Sequence, residues 1–405
     1  MDNVCVVGLG YVGLPTASLL ARAGFKVHGM DINSQVVQKI NQGEIHIHEP
    51  DLDVLVKSVV RSGHLTASLE PTSADVFIIA VPTPIKDGHA PDISYIEGAT
   101  RAIASYLEPG NLIILESTSP VGTTEQISNW VRELRPDLDA GAVYIAYCPE
   151  RVLPGQILKE LISNDRIVGG IDPASTAQAV AFYQKFVKGE ILSTQARTAE
   201  LAKLTENAFR DVNIAFANEL SMICEHLDVD VWELRELANR HPRVNVLRPG
   251  PGVGGHCVAV DPWFIVNSAP EQARLIRTAR QVNDSKPLQV VNQVKAAAAD
   301  FNPAMVACLG LAYKANIDDL RESPSVEIVR ELALEAVGHI FAVEPHISCL
   351  PASLDSLGSI QLVELDVALQ KADILVLLVD HQVFKTIDTE QLKGKTVIDT
   401  RGIWR

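Results

Sequence analysis

Short apolar runs alternate along this chain with stretches in which apolar residues recur every three or four positions. The runs at 4–7, 26–30, 76–81, 112–115 and 144–147 are strand-sized. Helical spacing fills the gaps, beginning with 14–23, which Gly24 ends. Apolar strands alternating with helices predict a parallel sheet covered on both faces. From 196 to 227 the rhythm changes. Leu201, Leu204, Ala208, Val212, Ala215, Phe216, Leu220 and Ile223 keep helical spacing with no Gly or Pro among them, which predicts one long helix. Such a helix joins domains, packs on its copy in a dimer, or fills a core, and the spacing alone does not choose. Past residue 303, strands are expected at 305–312, 339–343, 374–379 and 396–398, with a helix at 324–334. The pattern therefore predicts an α/β chain with two Rossmann-like, doubly wound domains, 1–195 and 301–405. A long central helix within a helical middle region, 196–300, joins them.

Candidate chemistry sits where strands end. Gly8-Leu9-Gly10-Tyr11-Val12-Gly13 lies between the first strand and the first helix, and Asp31 closes the second strand. In that setting Gly8 permits the tight turn, Gly10 admits a pyrophosphate to the backbone, and Gly13 lets helix and strand close up. Asp31 is placed to accept from an adenosine ribose. A carboxylate there repels a 2′-phosphate and Ile32-Asn33 offers no cation, so NAD is favoured over NADP. A second glycine-rich run, Gly250-Pro251-Gly252-Val253-Gly254-Gly255-His256-Cys257, ends on a cysteine. A loop of this kind can hold a thiolate against a substrate carbon, with cations or His256 lowering the thiol pKa. Lys203 and Asn207 stand four apart on one face of the long helix. The segments 116–123 and 148–151 each follow a strand and point to the crevice of the glycine turn, while Tyr313-Lys314 and 318–323 take the equivalent place in the last domain. Two cations there suit a phosphate-bearing ligand.

The balance of charges narrows the classes. A net charge of -15 argues against a nucleic-acid binder. No apolar run approaches the roughly 20 residues of a membrane span, and the start lacks the marks of a signal peptide, so the cytoplasm is the expected compartment. The six cysteines form no CxxC pair. Cys5, Cys224, Cys308 and Cys349 read as reduced core thiols, whereas Cys148 and Cys257 sit in unusual local sequence. His46-Ile47-His48-Glu49 lacks the spacing of a metal site, and no metal is expected.

Together the segments VGLGYVGLP, ESTSPVGT, CPERVLPG, KLTENAFRDVNIAFANEL, GPGVGGHC and YKANIDDLRESP resemble the nucleotide-sugar 6-dehydrogenase family of UDP-glucose, GDP-mannose and UDP-N-acetylhexosamine dehydrogenases. EIHIHEPDL, ANRHPRVN and VAVDPWFIV resemble its N-acetylhexosamine branch. The resemblance implies an NAD domain, a central helix through which the chain forms a homodimer, and a UDP-sugar domain. It implies four-electron oxidation of the C6 hydroxyl of UDP-N-acetyl-D-mannosamine to the uronate, for bacterial surface polysaccharide of the enterobacterial common antigen type. UDP-N-acetylglucosamine, differing only at C2, is the alternative. By motif position Cys257 is the expected nucleophile, Lys203 the acid/base or oxyanion partner, and Asn207 a holder of the intermediate oxygen. Glu150, Thr118 and Asp261 are expected to manage a water and its proton. NAD contacts fall on Gly8, Gly10, Tyr11, Val12, Gly13, Asp31, Thr83, Thr118 and Arg321. Substrate contacts fall on Arg151, Val152, Lys203, Asn207, Arg210, His241, Arg243, Gly254, Lys314 and Arg401, with His241 and Arg243 reaching in from the partner subunit. Val260 departs from the lysine that UDP-glucose members carry three residues after the cysteine, which counts against UDP-glucose. A two-electron dehydrogenase of the 3-hydroxyacyl or 6-phosphogluconate type would need neither Cys257 in a glycine loop nor a second α/β domain. An NAD-binding sensor would have no use for Lys203, Asn207, Cys257 and Asp261 together.

Overall fold

The computed structural model describes every residue except Ala140, Pro154, His256 and Arg405, together with the side chain of Asp87. The chain forms two compact units, Met1–Glu206 with Trp263–Ala269, and Asn207–Pro262 with Pro270–Arg405. The short piece belongs to the first unit through His89, whose ring stacks on Trp263 at 4.0 Å and whose carbonyl accepts from Asn267 Nδ2. The helix Ala196–His226 contributes to both units.

Strands of the first unit are β1 (Asn3–Val7), β2 (Lys26–Met30), β3 (Leu65–Ser68), β4 (Val76–Ile79), β5 (Leu112–Leu115), β6 (Tyr144–Tyr147), β7 (Arg166–Gly170) and β8 (Ile191–Gln195). They form one sheet in the order β3-β2-β1-β4-β5-β6-β7-β8. Neighbours are parallel except β6 and β7, which pair antiparallel with Tyr147 opposite Gly169. The expected all-parallel sheet is thus corrected at one step. β3, β7 and β8 escape the sequence pattern because polar residues interrupt them, and the run expected at 76–81 ends at Ile79. β4 and β5 are buried on both faces, with Val76, Ile78, Leu112 and Ile114 in one core and Phe77, Ile79, Ile113 and Leu115 in the other. That two-sided burial is why their sequence runs apolar without alternation.

The second unit has β9 (Met305–Leu309), β10 (His339–Val343), β11 (Ile360–Leu362), β12 (Ile374–Leu377) and β13 (Thr396–Asp399), all parallel in the order β11-β10-β9-β12-β13. β9 stops at Leu309, short of the expected 312, because Gly310 turns the chain at φ 96° with its N–H on the Val343 carbonyl. The helix Arg274–Ala298 falls within the expected helical middle region, 196–300, and Pro287 lies inside it. In the long helix Ala196–His226, Leu204, Ala208 and Ala215 are buried, while Leu201, Phe209, Phe216 and Ile223 are exposed. No helix among the described residues is long and apolar enough to cross a membrane.

Candidate active site

The glycine turn after β1 is built as tightly as its sequence implies. A Cβ on Gly13 would lie 1.8 Å from the Gly8 carbonyl oxygen, and one on Gly8 (φ 90°) would lie 2.5 Å from that of Ala80. At Gly10 the space beyond the backbone is open. The helix Gly13–Arg22 begins at Val12 without a capping side chain, leaving its N-terminal dipole available to an anion. Asp31 Oδ2 accepts from Leu9 N at 2.9 Å and Oδ1 from Asn33 N at 2.9 Å, so the carboxylate is fixed beside the turn. Tyr11 is about half exposed. These residues fit an NAD with its diphosphate on the turn and its ribose on Asp31.

Thr83, Thr118 and Glu150 follow β4, β5 and β6 at the same carboxyl edge. Thr83, after β4, donates through Oγ1 to the Thr118 carbonyl at 2.5 Å, and buried Ser117 bonds the N–H and carbonyl of Val81. Glu150, after β6, is buried. Its Oε1 accepts from Arg151 N at 2.6 Å, and its Oε2 takes Arg166 Nη1 at 3.1 Å. Arg151 forms an ion pair with Glu206 at 2.6 Å and also donates to the Asp165 carbonyl, while Val152 packs on the core. Lys203 is half-buried on the long helix, one turn after Glu200. Glu200 is fully buried, and its carboxylate accepts from Gly122 N, Thr124 N and Thr124 Oγ1 at 2.6–2.8 Å.

In the second unit the structure joins three motifs that lie far apart in sequence. Asn207 Nδ2 donates to Asp261 Oδ2 at 2.5 Å, and the Cys257 carbonyl accepts from Asp261 N at 2.9 Å, so the cysteine, the aspartate and the helix asparagine form one group. Cys257 is exposed. The glycine loop before it leaves no room for side chains. A Cβ on Gly254 would meet the Glu322 carbonyl at 2.4 Å and the side chain of Tyr313 at 2.8 Å, and one on Gly250 would meet Arg401 Nη1 at 2.5 Å. Lys314 is exposed beside Tyr313, Arg321 forks onto Asp319, and Arg401 pairs with Asp380. Arg210 is exposed on the long helix. His241 and Arg243 share an exposed loop in which Arg243 N donates to His241 Nδ1. His256 lies outside the described residues.

Two expectations about cysteines divide. Cys5, Cys224 and Cys308 are buried, but Cys349 is exposed, because it lies in the loop after β10 rather than in a strand. Cys148 is buried, and burial pushes its thiol up to about 12. It is therefore no nucleophile near neutral pH.

Several positioning groups have no local signature. Buried Glu49, from the His46–Glu49 run, accepts from Gly155 N and Ile157 N at 2.8 Å each and so holds the loop after Glu150. Asn218 accepts from Gly250 N at 2.9 Å and donates to Asn283, which in turn bonds Asp211, the buried partner of Arg280. This ladder anchors the start of the cysteine loop.

The second unit repeats the dinucleotide turn in a closed form. Leu311 N and Ala312 N donate to Glu344 Oε2, as Leu9 N does to Asp31. Glu344 is buried and its Oε2 also lies 3.0 Å from His381 Nε2, while His381 Nδ1 accepts from Asn316 N. Glu344, His346 and His381 have the composition of a metal cluster. However, with Nδ1 taken by an amide, His381 presents Nε2–H rather than a lone pair, and the group reads as a structural clamp.

Comparison with known proteins agrees with this architecture. Family models for the UDP-glucose/GDP-mannose dehydrogenase family match in three parts, as NAD binding domain over 2–187, central domain over 197–285 and UDP binding domain over 307–405. The NDP-N-acetyl-D-galactosaminuronic acid dehydrogenase of Ralstonia nicotianae is 58% identical, covering 99% of this chain and 96% of its own. The UDP-N-acetyl-D-mannosamine dehydrogenase of Yersinia pestis is 55% identical over 100% and 99%. Among solved structures, the UDP-D-ManNAc dehydrogenase of Pyrococcus horikoshii superposes with a TM-score of 0.88 at 40% identity, covering 100% of this chain and 96% of that one. Matched from end to end, and carrying an NAD-binding turn, a glycine-cradled cysteine and a second α/β unit, the chain belongs to the UDP-glucose/GDP-mannose dehydrogenase family.

Proposed function

We propose that this chain oxidises the C6 hydroxyl of UDP-N-acetyl-D-mannosamine to the carboxylate in two NAD-dependent steps. The observation that carries the reading is the Cys257–Asp261–Asn207 group, in which an exposed thiol follows a glycine loop and its neighbouring carboxylate is bonded to the helix asparagine. NAD, held by Gly8, Gly10, Tyr11, Val12, Gly13, Asp31, Thr83, Thr118 and Arg321, supplies the hydride acceptor. Lys203 takes the proton of the C6 hydroxyl in the first step. Cys257 then adds through sulfur to the aldehyde, because an unmodified aldehyde has no good hydride to give and its thiohemiacetal does. The second oxidation leaves a thioester, with Asn207 and Lys203 holding its oxygen. Glu150, Thr118 and Asp261 deliver water to that thioester and carry its proton away, freeing the thiol and the uronate. Arg151, Val152, Arg210, Gly254, Lys314 and Arg401 hold the UDP-sugar.

A homodimer through the central helix, with His241 and Arg243 supplied by the partner subunit, completes the proposal. It rests on the exposed Phe209, Phe216 and Ile223, which recur every seven residues. The product would feed bacterial surface polysaccharide of the enterobacterial common antigen type, in the cytoplasm. A second reading, oxidation of an N-acetyl-D-galactosamine nucleotide, is favoured by the 58% identity to the Ralstonia enzyme.

The deciding experiment limits each of UDP-N-acetylmannosamine, UDP-N-acetylgalactosamine, UDP-N-acetylglucosamine and UDP-glucose in turn and counts NADH by absorbance. Two NADH per UDP-N-acetylmannosamine and little from the others is expected. Cys257→Ser should give at most slow aldehyde formation. One NADH per sugar, or full uronate from the serine variant, would refute the covalent step.

A further inference from the structure

β7 is the one strand of the first sheet that reverses direction against its inner neighbour, and the reversal has a chemical result. A parallel strand brings its first residue to the edge opposite the chemistry. β7 runs the other way, with Gly169 opposite Tyr147, so its first residue, Arg166, reaches beyond the end of β6 to the level of Cys148–Glu150. Only 3% of Arg166 is exposed. Its Nη1 meets Glu150 Oε2 at 3.1 Å, its Nη2 donates to the Leu161 carbonyl at 3.0 Å, and its guanidinium lies over the Tyr183 ring at 5.4 Å.

The surroundings contain three more titratable groups. Glu116, from the end of β5, is buried, accepting from Tyr183 OH at 2.8 Å and from Thr16 Oγ1 at 3.4 Å. Cys148, from the end of β6, and Tyr183 complete the set whose charges act on Arg166. Burial pushes the Glu116 carboxyl up to about 7 and the Cys148 thiol to about 12, and Tyr183 rises as well. Those three groups lean toward their neutral forms. The ionic partner that the geometry gives the guanidinium is Glu150, 3.1 Å away and buried with it, so that losing either side would leave the other charge without its partner.

We propose that Arg166 is a positioning residue for the reaction, delivered by the reversed strand to pair with the Glu150 carboxylate and aim it. The proposal rests on the reading that Glu150 handles the proton of the hydrolytic water.

The test measures kcat and KM across pH 5–9 for the full-length enzyme, its Arg166→Met and Arg166→Lys variants, and Glu150→Gln and Glu116→Gln, with folding checked by circular dichroism. Arg166→Met should lower kcat at neutral pH by about tenfold or more and move the acidic limb of kcat upward by about one pH unit, with KM for NAD held within about twofold. Arg166→Lys should return the limb to near its original position. If Arg166→Met does not fold, the lysine variant decides alone: it keeps the charge but loses the fork, so a limb within about half a unit of the parent supports the proposal and a full shift overturns it. A folded Arg166→Met enzyme with an unmoved limb overturns the proposal while leaving Glu150 in place. A Glu116→Gln enzyme that shifts as far as Arg166→Met assigns the limb to Glu116 and also overturns it. A Glu150→Gln enzyme with the parental profile removes Glu150 from the reaction and overturns both readings.

Discussion

At the scale of single residues, burial sets which carboxylates hold charge. Glu116 titrates at about 7 in the fold against an ordinary 4.5 because it is removed from water. The folded chain thus binds this proton more tightly than the unfolded chain. Its contribution is full below about 4.5 and is lost as pH rises toward 7. At about 1.4 kcal/mol per pKa unit the loss is about 3 kcal/mol. Urea unfolding at pH 5, 6, 7 and 8 should show the parent losing stability over that window relative to Glu116→Gln. Identical pH dependence for the two would refute this assignment. The residues legible in the sequence were those with local grammar: the glycine turn, Asp31, and the cysteine at the end of a glycine loop. Glu49, Glu116, Glu200 and Asn218 were not legible, because each meets partners about 30 to 110 positions away, and no spacing rule encodes such a pair.

At the scale of elements, continuous apolar runs marked the fully buried strands well, and the long helix was found within a residue of its end. β7 and β8 were missed because Arg166 and the Ser193-Thr194-Gln195 run break their patterns, and Arg166 is polar for a reason outside its own strand. The long helix is tied into the first unit through the buried carboxylate of Glu200. Glu200 satisfies two backbone N–H groups at the start of the helix Thr123–Leu134, an anion on a positive helix end. Glu200→Ala would orphan both, at about 1–3 kcal/mol each. We expect a loss of about 3 kcal/mol in chemical denaturation, with Glu200→Gln losing less. A loss below about 0.5 kcal/mol would show that the bonds are replaced by water.

At the scale of the whole molecule, three large apolar side chains seven residues apart stand exposed on one helix, with Phe209 at 68% and Phe216 at 53%. A helix that leaves such a stripe to water is ordinarily covered by a partner. If the proposed dimer forms through this stripe, Phe209→Asp with Phe216→Asp should convert it to a monomer in analytical ultracentrifugation. It should also abolish uronate production, since the proposal has His241 and Arg243 complete the site of the partner subunit. A parent that sediments as a monomer, or a double variant that stays dimeric and active, would refute the helix as the interface.

The clamp of Glu344 and His381 has a consequence for timing. One turn of the dinucleotide kind is open and the other is locked by its own backbone and a buried imidazole. Among the described residues, the two-step oxidation proposed above would therefore have one open turn as the berth for its oxidant. On that proposal the oxidant would have to be exchanged between the two steps, and the half-finished sugar would stay aboard throughout. In the proposed mechanism Cys257 would then be a mooring as well as a nucleophile: the chain would keep hold of its aldehyde by a covalent line while the berth turns over.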